Sequence, residues 1–461
     1  MEKRRKTISL AELLKPEIEE LIKNKNYREL KTALSSFEPA DIAELLEDLK
    51  KEEAISIFLM LPKDLQTEVF SEFDSKVQEE IIRGLKDEEI KIILSELSPD
   101  DRTSLFEEVS PSLTRKLLNL LPPEERKETL TLLGYPKGSV GRLMTPDYVA
   151  IRKDFSVRKS LEHIRKKGVD AETINMIYVV DENFRLIDDI PLRKIILANP
   201  DDKIESLLDY NFISISPYED QEKAVEIMKK YNLISLPVVD NENHLLGIVT
   251  VDDIMDVMEE EQTEDIAKIS AIHPDLIGPE LITKIKEIPL IKLYKSRIGW
   301  LLLLLFINLI TGGIINNFTE TIAKYIVLVT FLPVIIDTAG NAGSQSATLV
   351  IRAMALKNVE IKDYVYLILR EILVSASLGI TLGIGISFIG IFRSKSLIIT
   401  FCIFLAIIIN VMIGSLVGLS LPFILTKFKK DPASASAPLV TTIADILGTF
   451  SYLSVAAILL R

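Results

Sequence analysis

The chain has 461 residues, 48% of them hydrophobic, and a net charge of −13 from 67 Asp and Glu against 54 Lys and Arg. So acidic a surface repels nucleic acid and phospholipid headgroups and attracts cations, which excludes a nucleic-acid partner. One cysteine, Cys402, allows no intrachain disulfide and no cysteine zinc cluster, and the three histidines pair with no evident nucleophile, so catalysis is not expected.

The opening "MEKRRKTISLAELLKPEIEE" is basic but has no apolar centre, so it does not read as a signal peptide and the charged front half is expected to stay in the cytoplasm. Residues 39 to 133 repeat one pattern, in "EPADIAELLEDL", "LPKDLQTEVFSEF", "LSPDDRTSLFEEV" and "LPPEERKETLTLL". Each repeat reads as a helix start with Pro in the first turn and acids at the positive end of the helix. Short helices of this kind bury their apolar faces only against neighbours, so a helical superhelix is predicted over 1–135. Asp100 and Asp101 are either first-turn helix acids or part of a cation site.

From Gly141 onward, strands alternate with helices. "ISISPYEDQEKAVEIMKKYNLISLPVVDNENHLLGIVTVDDIMDVM" reads as strand, helix, strand, turn, strand, helix, and "LMTPDYVAIRKDFSVRKSLEHIRKKGVDAETINMIYVVDENFRLIDDIPLRKIIL" has the same order, an internal duplication about 65 residues apart. The two copies, placed at 136–200 and 201–261, resemble a tandem pair of CBS domains. The second copy matches best, with Thr250 and Asp253 at the T-x-x-D positions that hold a ribose in nucleotide-binding members. The first departs, with "RLIDDIPLRKI" and Lys194 in place of the acid. This resemblance implies a nucleotide site on Arg193, Thr250 and Asp253, with ATP as its regulator.

In "VDDIMDVMEEEQTEDI" a helix would put Asp253, Asp256, Glu260 and Glu264 on one face, with Glu261 and Asp265 beside them. Such a face is either simply solvated or a set of hard oxygen ligands for Mg2+ or Ca2+. Residues 262–297 follow as an amphipathic connecting helix, suited to passing movement to what comes next.

After residue 297 the chain carries five apolar runs, at about 298–318, 325–347, 364–391, 397–425 and 438–459, each long enough to cross a bilayer. The basic residues flanking these spans favour an inside N-terminal half and an outside C-terminus. The fold class expected is therefore a multidomain membrane protein: an α-helical superhelix, an α/β CBS module and a five-span α-helical pore domain at 298–461. Asp445 lies inside the last run, where a carboxylate is costly and marks an ion pathway or a polar interhelical contact. In "PVIIDTAGNAGSQ", Pro333 and the glycines predict either a helix break that exposes carbonyls or close helix packing. Carbonyls, an Asn amide and carboxylates are the oxygen chemistry a hydrated Mg2+ pathway needs.

The order of these parts, with "PVIIDTAGNAGSQSATLVIRA" and "DPASASAPLVTTIADILG", resembles the MgtE family of magnesium channels over almost the whole chain. The resemblance implies a homodimer in the cell membrane with one Mg2+ pore at its axis, Asp445 as the pore ligand, and Pro333, Asp337, Gly340, Asn341, Gly343 and Gln345 lining it. It also implies a cytosolic Mg2+ sensor built from Asp220, Glu222, Asp253, Asp256, Glu261, Glu264 and Asp265, with Asp431 from the membrane domain and Asp100 or Asp101 from the helical domain. Asn232 and Ala437 depart from the acid and the amide that some members carry. Another divalent metal, such as Mn2+ or Co2+, and a membrane-anchored sensor without transport are the alternatives.

Overall fold

The computed structural model describes residues 10–24, 26–47, 49–273, 288–355 and 357–460. The chain divides into two compact units, Met1–Met258 and Glu259–Arg461.

The first unit opens with ten short helices: α1 (Leu10–Lys23), α2 (Tyr27–Leu34), α3 (Pro39–Glu47), α4 (Lys51–Phe58), α5 (Lys63–Ser71), α6 (Ser75–Gly84), α7 (Asp87–Glu96), α8 (Pro99–Glu108), α9 (Pro111–Leu120) and α10 (Pro123–Leu132). Proline is the first residue of α3, α8, α9 and α10, where its missing N–H costs no helical bond. Alternate helices stack in two rows, α1, α3, α5, α7 and α9 in one and α4, α6, α8 and α10 in the other. Their apolar faces meet in one elongated core, in which Phe58 packs against Phe70 and Phe73. Arg102 lies fully buried among them. Its guanidinium donates to the carbonyls of Leu94 and Leu97 at 3.2 and 3.3 Å, to Thr129 Oγ1 at 3.0 Å and to Glu128 Oε2 at 2.6 Å, so one side chain ties α7, α8 and α10 together.

The α/β part follows through α11 (Val140–Leu143), β1 (Tyr148–Arg152), α12 (Val157–Lys167), β2 (Thr173–Val180), β3 (Leu186–Pro191), α13 (Leu192–Ile196), α14 (Gln221–Tyr231), β4 (Ser235–Val239) and β5 (Leu245–Thr250). β1 runs parallel to β2 with Ala150 opposite Tyr178, and β2 is antiparallel to β3 with Tyr178 opposite Asp189. β4 and β5 pair antiparallel with Pro237 opposite Ile248. The duplication is visible in detail, since Asp181 and Asp240 each accept two backbone N–H groups in the turn before the last strand of their copy. The copies interlock as well, because Thr145, at the head of the first, exchanges both backbone hydrogen bonds with Ile248 of the second. Asn232 adopts a left-handed conformation with φ 53° as the C-cap of α14, a place amides tolerate.

The last helix of this part, α15 (Val251–Ile269), passes unbroken through the boundary expected between residues 261 and 262. The expected connector is thus not one helix from 262 to 297, and its residues 274–287 lie outside the described ones. Among the described residues the second unit holds five long helices, α16 (Leu290–Asn317), α18 (Leu332–Ala355), α19 (Tyr364–Ser394), α20 (Leu397–Lys427) and α21 (Ala437–Leu459), with the short α17 (Thr319–Lys324) after the first. Four of them, α16, α19, α20 and α21, are long and apolar enough to cross a membrane. α18 is long enough but carries Asp337, Asn341, Gln345 and several hydroxyls. It also begins seven residues later than the span predicted from residue 325, because residues 326–330 form a 3-10 turn.

Candidate cation sites

Of the two readings of Pro333 and the glycines, the helix break does not occur in α18. Pro333 is the second residue of the helix, where no preceding turn is lost, and the glycines serve packing. Gly343 lies against α20, where an added Cβ would come 2.7 Å from the Gly414 carbonyl oxygen, and Gly340 lies against Thr441 and the Oδ1 of Asp445 on α21. Both are buried, whereas Pro333, Asp337, Asn341 and Gln345 lie along an exposed side of α18 in this chain. Asn341 Nδ2 donates to Asp337 Oδ2 at 3.1 Å. Asp445 is half-buried where α18 crosses α21, near enough to Asp337 for their charges to repel. Two carboxylates and an amide therefore lie in one neighbourhood, with Asp337 and Asn341 on the exposed side of α18. The sequence reading missed Asn410, the one amide of α20. It is fully buried, its Nδ2 donates to the Ala406 carbonyl, its Oδ1 accepts nothing, and it abuts Gly448, one turn beyond Asp445.

A second carboxylate group forms where the helical array meets the α/β part inside the first unit. Asp100 and Asp101 occupy the first turn of α8, whose N-cap Ser98 accepts from the Asp101 N–H at 3.4 Å. They are the helix acids predicted, but Asp100 is also buried and its Oδ1 accepts no hydrogen bond. Burial, followed by the charges of Asp253 and Asp101, pushes its carboxyl well above the ordinary range. Asp253 is pushed up to about 7, mainly by burial with Asp252 and Asp101 adding to it, although Thr250 opposes this by donating from Oγ1 to Asp253 Oδ2 at 2.7 Å. Asp101 rises through burial and Asp252. Three acids the sequence reading did not select share the region. Glu72 is raised by burial, Asp101 and Asp256, Glu172 by burial, Asp252, Asp101 and Asp147, and Asp147 by burial and Asp170 against the pull of Arg102.

Other expected residues are placed differently. Asp220 caps α14 by accepting the N–H of Glu222, the second residue of the helix, at 2.9 Å. Arg193 stands on exposed α13 and, among the described residues, makes no side-chain bond to Thr250 or Asp253. In the second unit, Asp265 near the end of α15 is raised by burial and the Asp431 charge, with Glu261 and Glu264 adding to it and Lys268 opposing. Among the described residues, no three acids, histidines or cysteines close around a point as a finished metal site. The donors are nonetheless all hard oxygens, and Asp100 Oδ1 is a buried acceptor without a donor, which suits a divalent cation.

A unit that holds two α/β repeats with buried acids, and a second unit made of long apolar helices, define a polytopic membrane protein. The pattern of the MgtE family, described as a divalent cation transporter, matches residues 332–455, the MgtE intracellular N domain matches 37–138, and CBS domains match 140–201 and 204–260. The chain is 35% identical over 459 residues to the magnesium transporter MgtE of Thermus thermophilus, covering 98% of this chain and 100% of that one. It is 35% identical over 330 residues to the magnesium transporter MgtE of Bacillus subtilis, covering 72% and 71%. The crystal structure of the cytosolic domain of the Mg2+ channel MgtE in complex with ATP superposes with a TM-score of 0.51 at 35% identity, over 53% of this chain and all of that one. The chain belongs to the MgtE family.

Proposed function

We propose that this protein is a Mg2+-selective channel that imports magnesium and is closed by cytosolic Mg2+. The observation that carries the reading is the meeting of Asp445 with Asp337 and Asn341 where α18 crosses α21. Intramembrane carboxylates repel each other unless a cation joins them, and an all-oxygen set with an amide suits an ion that keeps part of its water. The exposed polar side of α18 suits a second copy, so the working form is a homodimer in the cell membrane, its N-terminal half in the cytoplasm and its C-terminus outside.

Regulation follows from charge. The acids around Asp100, Asp101 and Asp253, and those of α15 facing Asp431, would hold the regulatory ions. At low Mg2+ their repulsion loosens the soluble part, and at high Mg2+ the compact state prevails and the pore closes. Thr250 and Asp253, hydrogen-bonded to each other at the T-x-x-D positions, support a regulatory role for ATP, the ligand of the related cytosolic domain.

The test is Mg2+ uptake into liposomes carrying the purified protein. Uptake should fall as Mg2+ on the soluble-domain side rises, and Asp445→Ala should abolish it with folding retained. Selective uptake by that variant would remove Asp445 from the pathway. Flux of Mn2+ or Co2+ but not Mg2+ would replace the substrate, and no flux of any divalent ion would leave a sensor.

A further inference from the structure

The amide of Asn410 is fully buried on α20, and its Nδ2 donates to the Ala406 carbonyl at 2.8 Å, one turn earlier in the same helix. That bond fixes which way round the amide lies, because an oxygen turned toward Ala406 would face another oxygen. The Oδ1 therefore points away from its own helix, at Gly448 of α21, where an added Cβ would come 2.5 Å from it. Among the described residues no N–H or O–H donates to this oxygen. The nearest atom to that Cβ outside Asn410 is Ala339 Cβ on α18, at 3.6 Å. Ala339 closes the layer, since its carbonyl lies against Gly414, one turn beyond Asn410, and the residue after it, Gly340, lies against Asp445 Oδ1.

We propose that Asn410 is a positioning residue for Asp445: its Oδ1 is a spacer that sets how closely α21 approaches α20 and α18, and so where the Asp445 carboxylate stands. Gly448 lies three residues beyond Asp445 on the same face of α21, so a shift at Gly448 carries the carboxylate with it. An oxygen resting on a Cα–H permits a C···O separation of about 3.3–3.6 Å, closer than a methyl group allows, and adds a weak C–H···O attraction. An unpaired buried oxygen is destabilising by itself, and the close approach beside the acid is what it contributes. The role in ion flow rests on the channel reading; the spacing does not.

Exchanging bulk across the contact tests this. Gly448→Ala should drive α21 off Asn410, and Gly448→Ala combined with Asn410→Ala should seat it again, because the new methyl then meets nothing nearer than Ala339 Cβ. In liposomes of the full chain, the Mg2+ concentration that half-saturates uptake should rise about tenfold in Gly448→Ala, the scale of one overpacked contact, and return to within about twofold of the wild type in the double variant. Folding has its own probe. Cys402, the chain's one cysteine, is fully buried on α20, so its reaction with a thiol-directed fluorophore on heating in detergent reports the melting of this helical unit. The melting temperature should fall by about 5 °C in Gly448→Ala and recover in the double variant. Wild-type half-saturation in Gly448→Ala with a lowered melting temperature would make Asn410 a packing residue only and overturn the proposal, as would a double variant in which either quantity stays impaired. An unchanged melting temperature in Gly448→Ala would overturn the contact itself. Wild-type liposomes that pass no Mg2+ would sink the channel reading and with it the role of Asp445, while the melting temperatures still decide the spacer.

Discussion

Gly418 runs so close to Gly343 that a Cβ on it would sit 1.9 Å from the Gly343 carbonyl oxygen, and a Cβ on Gly414, one turn earlier, 2.1 Å from that of Ala339. α18 and α20 are therefore in backbone contact over two turns, the geometry that small residues at a four-residue spacing permit. Gly418→Ala should separate the helices and cost about 2–3 kcal/mol, as overpacking of a tight core does. Gly313→Ala, where nothing lies within 4 Å, should be neutral. Thermal unfolding in detergent compares the two, and equal melting points would refute the close contact.

Arg102 predicts a large loss in the soluble unit. Arg102→Met would leave two carbonyls, a hydroxyl and the Glu128 carboxylate without their donor, a loss of about 3 kcal/mol. Denaturant unfolding measures it, and Arg115→Met, on an exposed face, is the control.

Stability without divalent ions should fall as pH rises from 6 to 8. Asp253 is held up to about 7 when folded and titrates near 3.9 when unfolded, so between these values the folded chain keeps a proton the unfolded chain lacks. That contribution is fully present below about pH 4 and is lost as pH rises through 7. The loss from pH 6 to 8 is about 1 kcal/mol, or about 3 °C in the melting temperature of a unit this size. Calorimetry in EDTA reads it. Added Mg2+ should stabilise more at pH 8 than at pH 6, because the ion competes with that proton.

Asp100→Asn tests the same junction by charge alone. Removing one of the facing carboxylates should stabilise the ion-free unit by about 1 kcal/mol and shrink the gain in melting temperature on adding Mg2+. An unchanged Mg2+ response would remove Asp100 from the proposed ion site.

Much of this was legible beforehand because the signals are local. Proline followed by acids marks helix starts wherever it occurs, and the two copies of the α/β unit carry the same turn chemistry at Asp181 and Asp240. Asp445 stood out because a lone carboxylate in an apolar run has few explanations. The hidden features join distant segments. Asp100 meets Asp253, and Lys268 meets Asp431 across 163 residues, and no periodicity encodes either. Gly340 and Gly343 suggested an opening as readily as a packing face until Gly414 and Gly418 supplied the partner surface. The sequence singles out no role for Lys268, because its partner Asp431 lies beyond α16, α17, α18, α19 and α20.

α16 leans chiefly on α21, and only 6% of its most apolar stretch is buried in the chain. During synthesis it is the first of the long apolar helices to leave the ribosome, and it can rest in lipid unaided. α18 emerges next with Asp337, Asn341 and Gln345 on one side and glycines on another, and its partners α20 and α21 are still unmade. The chain therefore places an anchor before the helix that needs company, and α18 finds its packing partners only once the last helix has been delivered.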